Sequence, residues 1–187
     1  SRELASFASV LNQQYQVITM ATEEGIPIDL EDVDVLMITS PKSRIGETHR
    51  ESIKNYMTGG GKAFIAIEPV LVDFNQLAGI PNRDSLADFI LSEFGISVES
   101  DLVFDLQSNE TLAFGTGGAG NVYLPYPYWV KANVVDSKIG GEVSNVVMPW
   151  ASTVGILDLP DSEYTVSPLI STTEFGSIDM NLRNLRP

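Results

Sequence analysis

The stretch from Asp32 to Pro69, DVDVLMITSPKSRIGETHRESIKNYMTGGGKAFIAIEP, constrains this chain more than any other. It reads as strand, loop, helix, turn, strand. Val33, Val35, Leu36, Met37 and Ile38 form a near-continuous apolar run, the pattern of a strand covered on both faces. Ser40-Pro41 ends that strand, because proline has no N–H for the next ladder position. Ile45, Ile53, Tyr56 and Met57 recur at helical spacing, with Glu47, Arg50, Glu51 and Lys54 on the wet side. Gly59-Gly60-Gly61 stops the helix, and Ala63 to Ile67 makes a second buried strand. Two buried strands joined by a helical crossover form a right-handed βαβ unit. The expected class is therefore α/β: a doubly wound, mostly parallel, flavodoxin-like sheet. In such a sheet ligands bind beyond the carboxyl ends of the strands, which singles out Ser40, Pro41, Lys42 and Glu68.

The flanking segments fit around this unit. Leu4, Phe7, Ala8 and Leu11 predict a helix over residues 3–13, and Tyr15 to Met20 (YQVITM) predicts a strand by its β-branched and aromatic content. A doubly wound domain starting with a helix suggests that its first strand lies upstream. Residues 22–34 read as an acidic loop, and 70–82 as an irregular connection. Asp84 is expected to cap a helix holding Leu86, Phe89, Ile90 and Phe94, which Gly95 ends. Residues 96–105 read as one or two short strands, closing another αβ step at the sheet. From Gln107 the texture changes to glycine, proline and aromatics. Val146 to Met148, Val154 to Leu157 and Tyr164 to Ile170 read as short strands separated by turn signals such as Leu159-Pro160-Asp161. Residues 107–187 are thus a β-rich extension of one domain spanning 1–187.

Composition excludes several function classes. The formal net charge is −14, from 25 acidic and 11 basic residues, which argues against nucleic acid or anionic lipid as a partner. There are no cysteines, so disulfides, thiolate metal sites and a cysteine nucleophile are ruled out. No apolar run reaches the roughly 20 residues that span a bilayer. A chain opening SRELASF is expected to be a piece of a longer protein, with any membrane anchor outside it.

Most candidate motifs reduce to structure. Gly115 to Gly120 matches GxGxxG, but Pro125 and Pro127 follow where a helix should open, so it reads as a loop. Gly59-Gly60-Gly61-Lys62 lacks the first glycine and the Ser/Thr of a phosphate loop, and it precedes a strand rather than a helix. His49, the single histidine, reads as a solvated helix residue; no GxSxG elbow accompanies it. Glu23, Glu24, Asp29, Glu31, Asp32 and Asp34 match no EF-hand spacing and read as a solvated loop. Glu68 at its strand end is the best single polar candidate for a cleft. Tyr123, Tyr126, Tyr128, Trp129 and Trp150 offer stacking faces for a glycan or proline-rich peptide, or pin a loop from inside. The candidate ligand-binding set is Ser40, Pro41, Lys42, Glu68, Tyr126, Tyr128 and Trp129, with no catalytic residue, no metal ligand and no cofactor expected.

Four segments also resemble a known family. They are LNQQYQVITM, the stretch GIPIDLEDVDVLMITSPKSRIGETHRESIKNYMTGGGKAFIAIEP, LADFILSEFGISVESDLVFD, and VVMPWASTVGI with YTVSPLISTTEFGSID. Together they resemble the auxiliary domain of ABC-type transport systems (the gliding-motility GldG-like family). The resemblance implies a fold like class I glutamine amidotransferases, on the extracytoplasmic side of a bacterial inner membrane, anchored by helices outside this chain. It implies ABC permease and ATPase subunits, or envelope proteins, as partners. That fold normally carries a cysteine nucleophile and a late histidine. This chain has no cysteine and only the early His49, so the expected role is non-catalytic. The alternative is a small-ligand or glycan-binding module using the strand-end cleft and the Tyr/Trp segment.

Overall fold

The computed structural model describes residues 4–41, 43–115, 120–136, 141–157 and 165–186. Among the described residues three helices and twelve strands follow one another: α1 (Ala5–Leu11), β1 (Val35–Thr39), α2 (Glu47–Thr58), β2 (Lys62–Ala66), β3 (Val70–Asp73), β4 (Ala78–Pro81), α3 (Ala87–Phe94), β5 (Ile96–Val98), β6 (Leu102–Asp105), β7 (Asn109–Gly115), β8 (Asn121–Val134), β9 (Asn145–Pro149), β10 (Val154–Ile156), β11 (Ile170–Ser171) and β12 (Gly176–Asp179). The βαβ unit is present: β1 and β2 pair in parallel, Val35 opposite Lys62 through Thr39 opposite Ala66, with α2 as the crossover. Gly59 caps α2, and Gly60 takes a positive φ of 95° as the chain turns into β2.

The doubly wound, flavodoxin-like sheet does not form. β1–β2 is the one parallel pair among the described residues; the other pairings, β3–β4, β5–β10, β6–β12 and β8 with β7, β9 and β11, are antiparallel. The physical reason is connection length. A parallel return needs a crossover of about a dozen residues or more. After α2 the strands are linked by stretches such as 74–77, 99–101 and 106–108, which permit only hairpins and tight reversals. The α3 link over residues 82–95 is long enough for a crossover, yet it does not close a second parallel step: β4 is taken up in the hairpin with β3, and β5 pairs antiparallel with β10.

Local expectations fare unevenly. α1 lies within the predicted 3–13 helix. Tyr15 to Met20 is not a strand: it has no ladder partner, and Tyr15 is 65% exposed. Residues 70–82 are not irregular but form the β3–β4 hairpin, whose turn is held by Asp73 Oδ1 accepting the Asn75 and Gln76 N–H groups at 2.8 and 3.1 Å. Asp84 does not cap α3. That helix starts after Leu86, a buried residue in the left-handed region (φ 68°), with no side-chain cap. Gly95, also left-handed, does end it. The late strand predicted over 164–170 shrinks to β11; Tyr164 and the Leu159-Pro160-Asp161 turn lie outside the described residues.

Two hydrophobic clusters hold the fold. The first packs Ile53 of α2 and Leu86, Phe89, Ile90 and Phe94 in and beside α3 against Leu36, Ile38 and Ile65 of the parallel pair. Two ion pairs bridge α2 and α3 over it, Arg50–Asp88 at 2.8 Å and Lys54–Glu93 at 2.6 Å. The second cluster joins Val70, Leu102, Leu182 and Leu185, with Tyr128 and Trp150 against it. The chain's last turn is stitched in by backbone bonds from Gly79 N–H to Leu182 O and from Leu185 N–H to Leu77 O, both 2.7 Å. At Gly79 an added Cβ would lie 2.7 Å from the Val70 side chain, so only glycine lets this turn sit so close.

Candidate functional site

The parallel pair brings its two carboxyl ends together, and with them Ser40 and Glu68. The Ser40 hydroxyl donates to Glu68 Oε2. Ser40 itself adopts φ 42°, unusual for a residue with a Cβ, and its N–H extends the ladder by bonding Ala66 O at 2.7 Å. Asn82, just past the hairpin, clamps the other side: its Nδ2 donates to Glu68 O at 2.9 Å and its backbone N–H to Pro69 O at 2.7 Å. Pro41 is half-buried beside this group, and Lys42 lies outside the described residues. The arrangement presents a carboxylate and a hydroxyl at an exposed rim, fixed from behind by backbone bonds.

The aromatic candidates form a separate group. They sit on the long strand β8 and not on an irregular loop. Tyr126 is 1% exposed; its hydroxyl donates to Leu185 O at 2.6 Å and accepts the Trp150 indole N–H at 3.2 Å. Burial pushes its phenol above the usual range, partly offset by the Trp150 bond. Tyr128 donates to Asp179 Oδ2 at 2.6 Å. Burial, and then that neighbouring carboxylate, push Tyr128 well above the usual phenol range. Trp129 meets Trp150 edge-on with centroids 5.3 Å apart, and its indole N–H is buried without a partner among the described residues. Tyr123, 69% exposed, is the aromatic of the set that faces solvent. Tyr126, Tyr128 and Trp129 thus act as packing residues around the second cluster.

Other polar groups are engaged in structure. His49 is buried and not solvated as its charged neighbours suggested; its Nε2 lies 2.9 Å from Glu23 O. Arg50 reaches Asp88 through both terminal nitrogens, at 2.8 and 3.3 Å, and gives its Nε–H to Ile45 O at 2.9 Å. The Arg50 hydrogen bond holds the Asp88 carboxyl below its usual range. Asp105, fully buried, accepts Gln107 and Ser108 N–H groups on one oxygen and the Thr173 N–H and hydroxyl on the other, at 2.7–2.9 Å. Burial opposes its charge, but these bonds prevail and hold its carboxyl low. Among the described residues no three carboxylate or imidazole side chains converge on a point that a metal ion could occupy. Gly115 and Gly120 flank the β7–β8 connection, whose residues 116–119 lie outside the described set.

The molecule is therefore an α+β domain: a helix-covered parallel pair joined to antiparallel hairpins, with a polar rim at one strand end. The chain belongs to the auxiliary-domain family described as an ABC-type uncharacterized transport system, which matches residues 1–186. No curated protein matches it. Among solved structures it is similar to the mmIFT52 N-terminal domain, with a TM-score of 0.60 and 18% identity over 92% of this chain and 71% of that one. At that identity the likeness concerns the fold alone. It goes with the mostly antiparallel architecture seen here, in place of the amidotransferase-like sheet.

Proposed function

We propose that this chain is a non-catalytic, extracytoplasmic accessory domain of an ABC transport system that binds a transporter subunit, an envelope protein or an export substrate. The family match over residues 1–186 carries the proposal. Two polar groups near the site are held by the fold: His49 lies against Glu23 O, and Asn82 holds the Glu68–Pro69 backbone. The Ser40 hydroxyl and the Glu68 carboxylate bond each other at the exposed rim. The placement outside the membrane and a gliding-motility-like system are finer parts of the same proposal and come from the sequence resemblance. No helix among the described residues is long and apolar enough to cross a membrane. Anchoring by helices outside this chain is likewise part of the proposal and comes from the sequence resemblance. The test is affinity purification of the full-length protein from solubilised membranes. Recovery with the permease and ATPase is expected; a full-length protein found free of membranes and of both subunits overturns the proposal.

A further inference from the structure

Among the described residues the parallel pair β1–β2 leaves one face half-exposed. Leu36, Ile38 and Ile65 turn toward α2 and α3. On the opposite face Met37 stands beside Phe64 in register, with Val35 one step earlier, and the three are 39%, 54% and 51% exposed. Parallel strands are usually covered on both sides. No third strand joins either edge of the pair among the described residues. A short ribbon with open edges and an apolar outer face is a template for strand addition.

Charge identifies the chemistry of what fits there. Six carboxylates and no basic side chain lie between Thr22 and Asp34, and Asp32 and Asp34 lead directly into Val35. Glu31 lines an open groove of about 580 Å³ with Ser52, Asn55 and Tyr56, bordered by the glycine turn that ends α2. A helix C-terminus carries the negative end of the peptide dipoles, so the groove favours cations. A second copy of this chain, at net charge −14, would be repelled from such a rim.

We propose that a partner protein docks by adding an apolar strand, flanked by lysine or arginine, to the free edge of β1. Its apolar side chains on the outer face lie alongside Val35 and Met37 and extend the surface that Phe64 completes, and its basic flank meets Asp32 and Asp34 at the start of β1. This deepens the accessory role proposed above, on which it rests for the partner's origin, by stating what the partner must present.

The test uses the intact chain and a fluorescent peptide of alternating valine and threonine with lysines at both ends. A glutamate-flanked counterpart is the control. The lysine peptide is expected to bind and the glutamate peptide not. Met37→Ser combined with Phe64→Ser should weaken binding by roughly tenfold or more, and Asp32→Asn with Asp34→Asn should flatten its salt dependence. All four positions are exposed, and unchanged circular dichroism verifies the fold. Equal affinity for the two peptides, or binding indifferent to the Met37 and Phe64 changes, overturns the proposal. A chain that copurifies with the permease but ignores the lysine peptide refutes this surface and leaves the accessory role standing. One that binds the peptide but never copurifies refutes the accessory role and leaves the surface standing.

Discussion

Replacing Asp105 with asparagine tests whether a single buried carboxylate ties the two ends of the second half of the fold together. Asp105 closes β6, and its four bonds reach the turn after β6 and the turn before β12, the strand it pairs with. Asparagine keeps the shape and one acceptor oxygen. Its amide nitrogen cannot accept, so the donors on one side, either Gln107 and Ser108 or Thr173 twice over, lose their partner. A buried donor left without an acceptor costs about 1–3 kcal/mol, so two should cost roughly 2–6 kcal/mol. The sign of the pH effect follows from the lowered carboxyl. The folded value lies below the unfolded one, so the stabilisation is present above about pH 4 and drains away as pH falls through the folded value. Urea unfolding at neutral pH, repeated at steps into the acid range, gives both quantities. The variant should be less stable at neutral pH, with the difference shrinking on acidification. Equal stability within about 0.5 kcal/mol at neutral pH, or parallel stability curves down through the acid limb, would refute the reasoning.

Further outcomes follow from the same geometry. Gly61→Ala drives a Cβ into the Tyr56 ring, whose hydroxyl is fixed at 3.0 and 3.1 Å from the Val33 and Lys62 carbonyls; a loss of about 1–3 kcal/mol is expected in thermal or urea melts. Leu185→Ala, at a fully buried position packed in the second cluster, should cost about 2–5 kcal/mol by the same measurement. Arg50→Gln should raise the Asp88 carboxyl toward its ordinary value, read by NMR titration. Because Asp88 is largely exposed, the ion pair itself should contribute no more than about 1 kcal/mol. Asp179→Asn should let Tyr128 ionise at lower pH in an ultraviolet titration, though burial keeps it above an ordinary phenol.

The segment that was most legible obeys one period at a time. In 32–69 an apolar run, a 3.6-residue repeat and a second apolar run are separated by Ser40-Pro41 and three glycines, and strand, helix and strand fall where those signals change. Extending that single crossover to a whole parallel sheet failed because most later connections are too short for one, and the strands on either side of α3 pair antiparallel with other partners. The short stretches 99–101 and 106–108 already exclude a parallel return. Tyr15 to Met20 has strand composition and no strand, since β-propensity expresses fit to a neighbouring surface and no ladder lies beside it. The Ser40–Glu68 pairing was accessible because two parallel neighbours must end side by side. Its clamp Asn82, the burial of His49 against Glu23 and the Thr173 anchor of Asp105 were not. Their partners lie 14, 26 and 68 residues away, and no local pattern encodes a side-chain bond that exists only after distant strands have met. The half-exposed face of β1 makes the same point in reverse. Val33 to Ile38 is written for two covered faces, yet among the described residues only one is packed against helices, and Val35 and Met37 on the other stay 51% and 39% exposed.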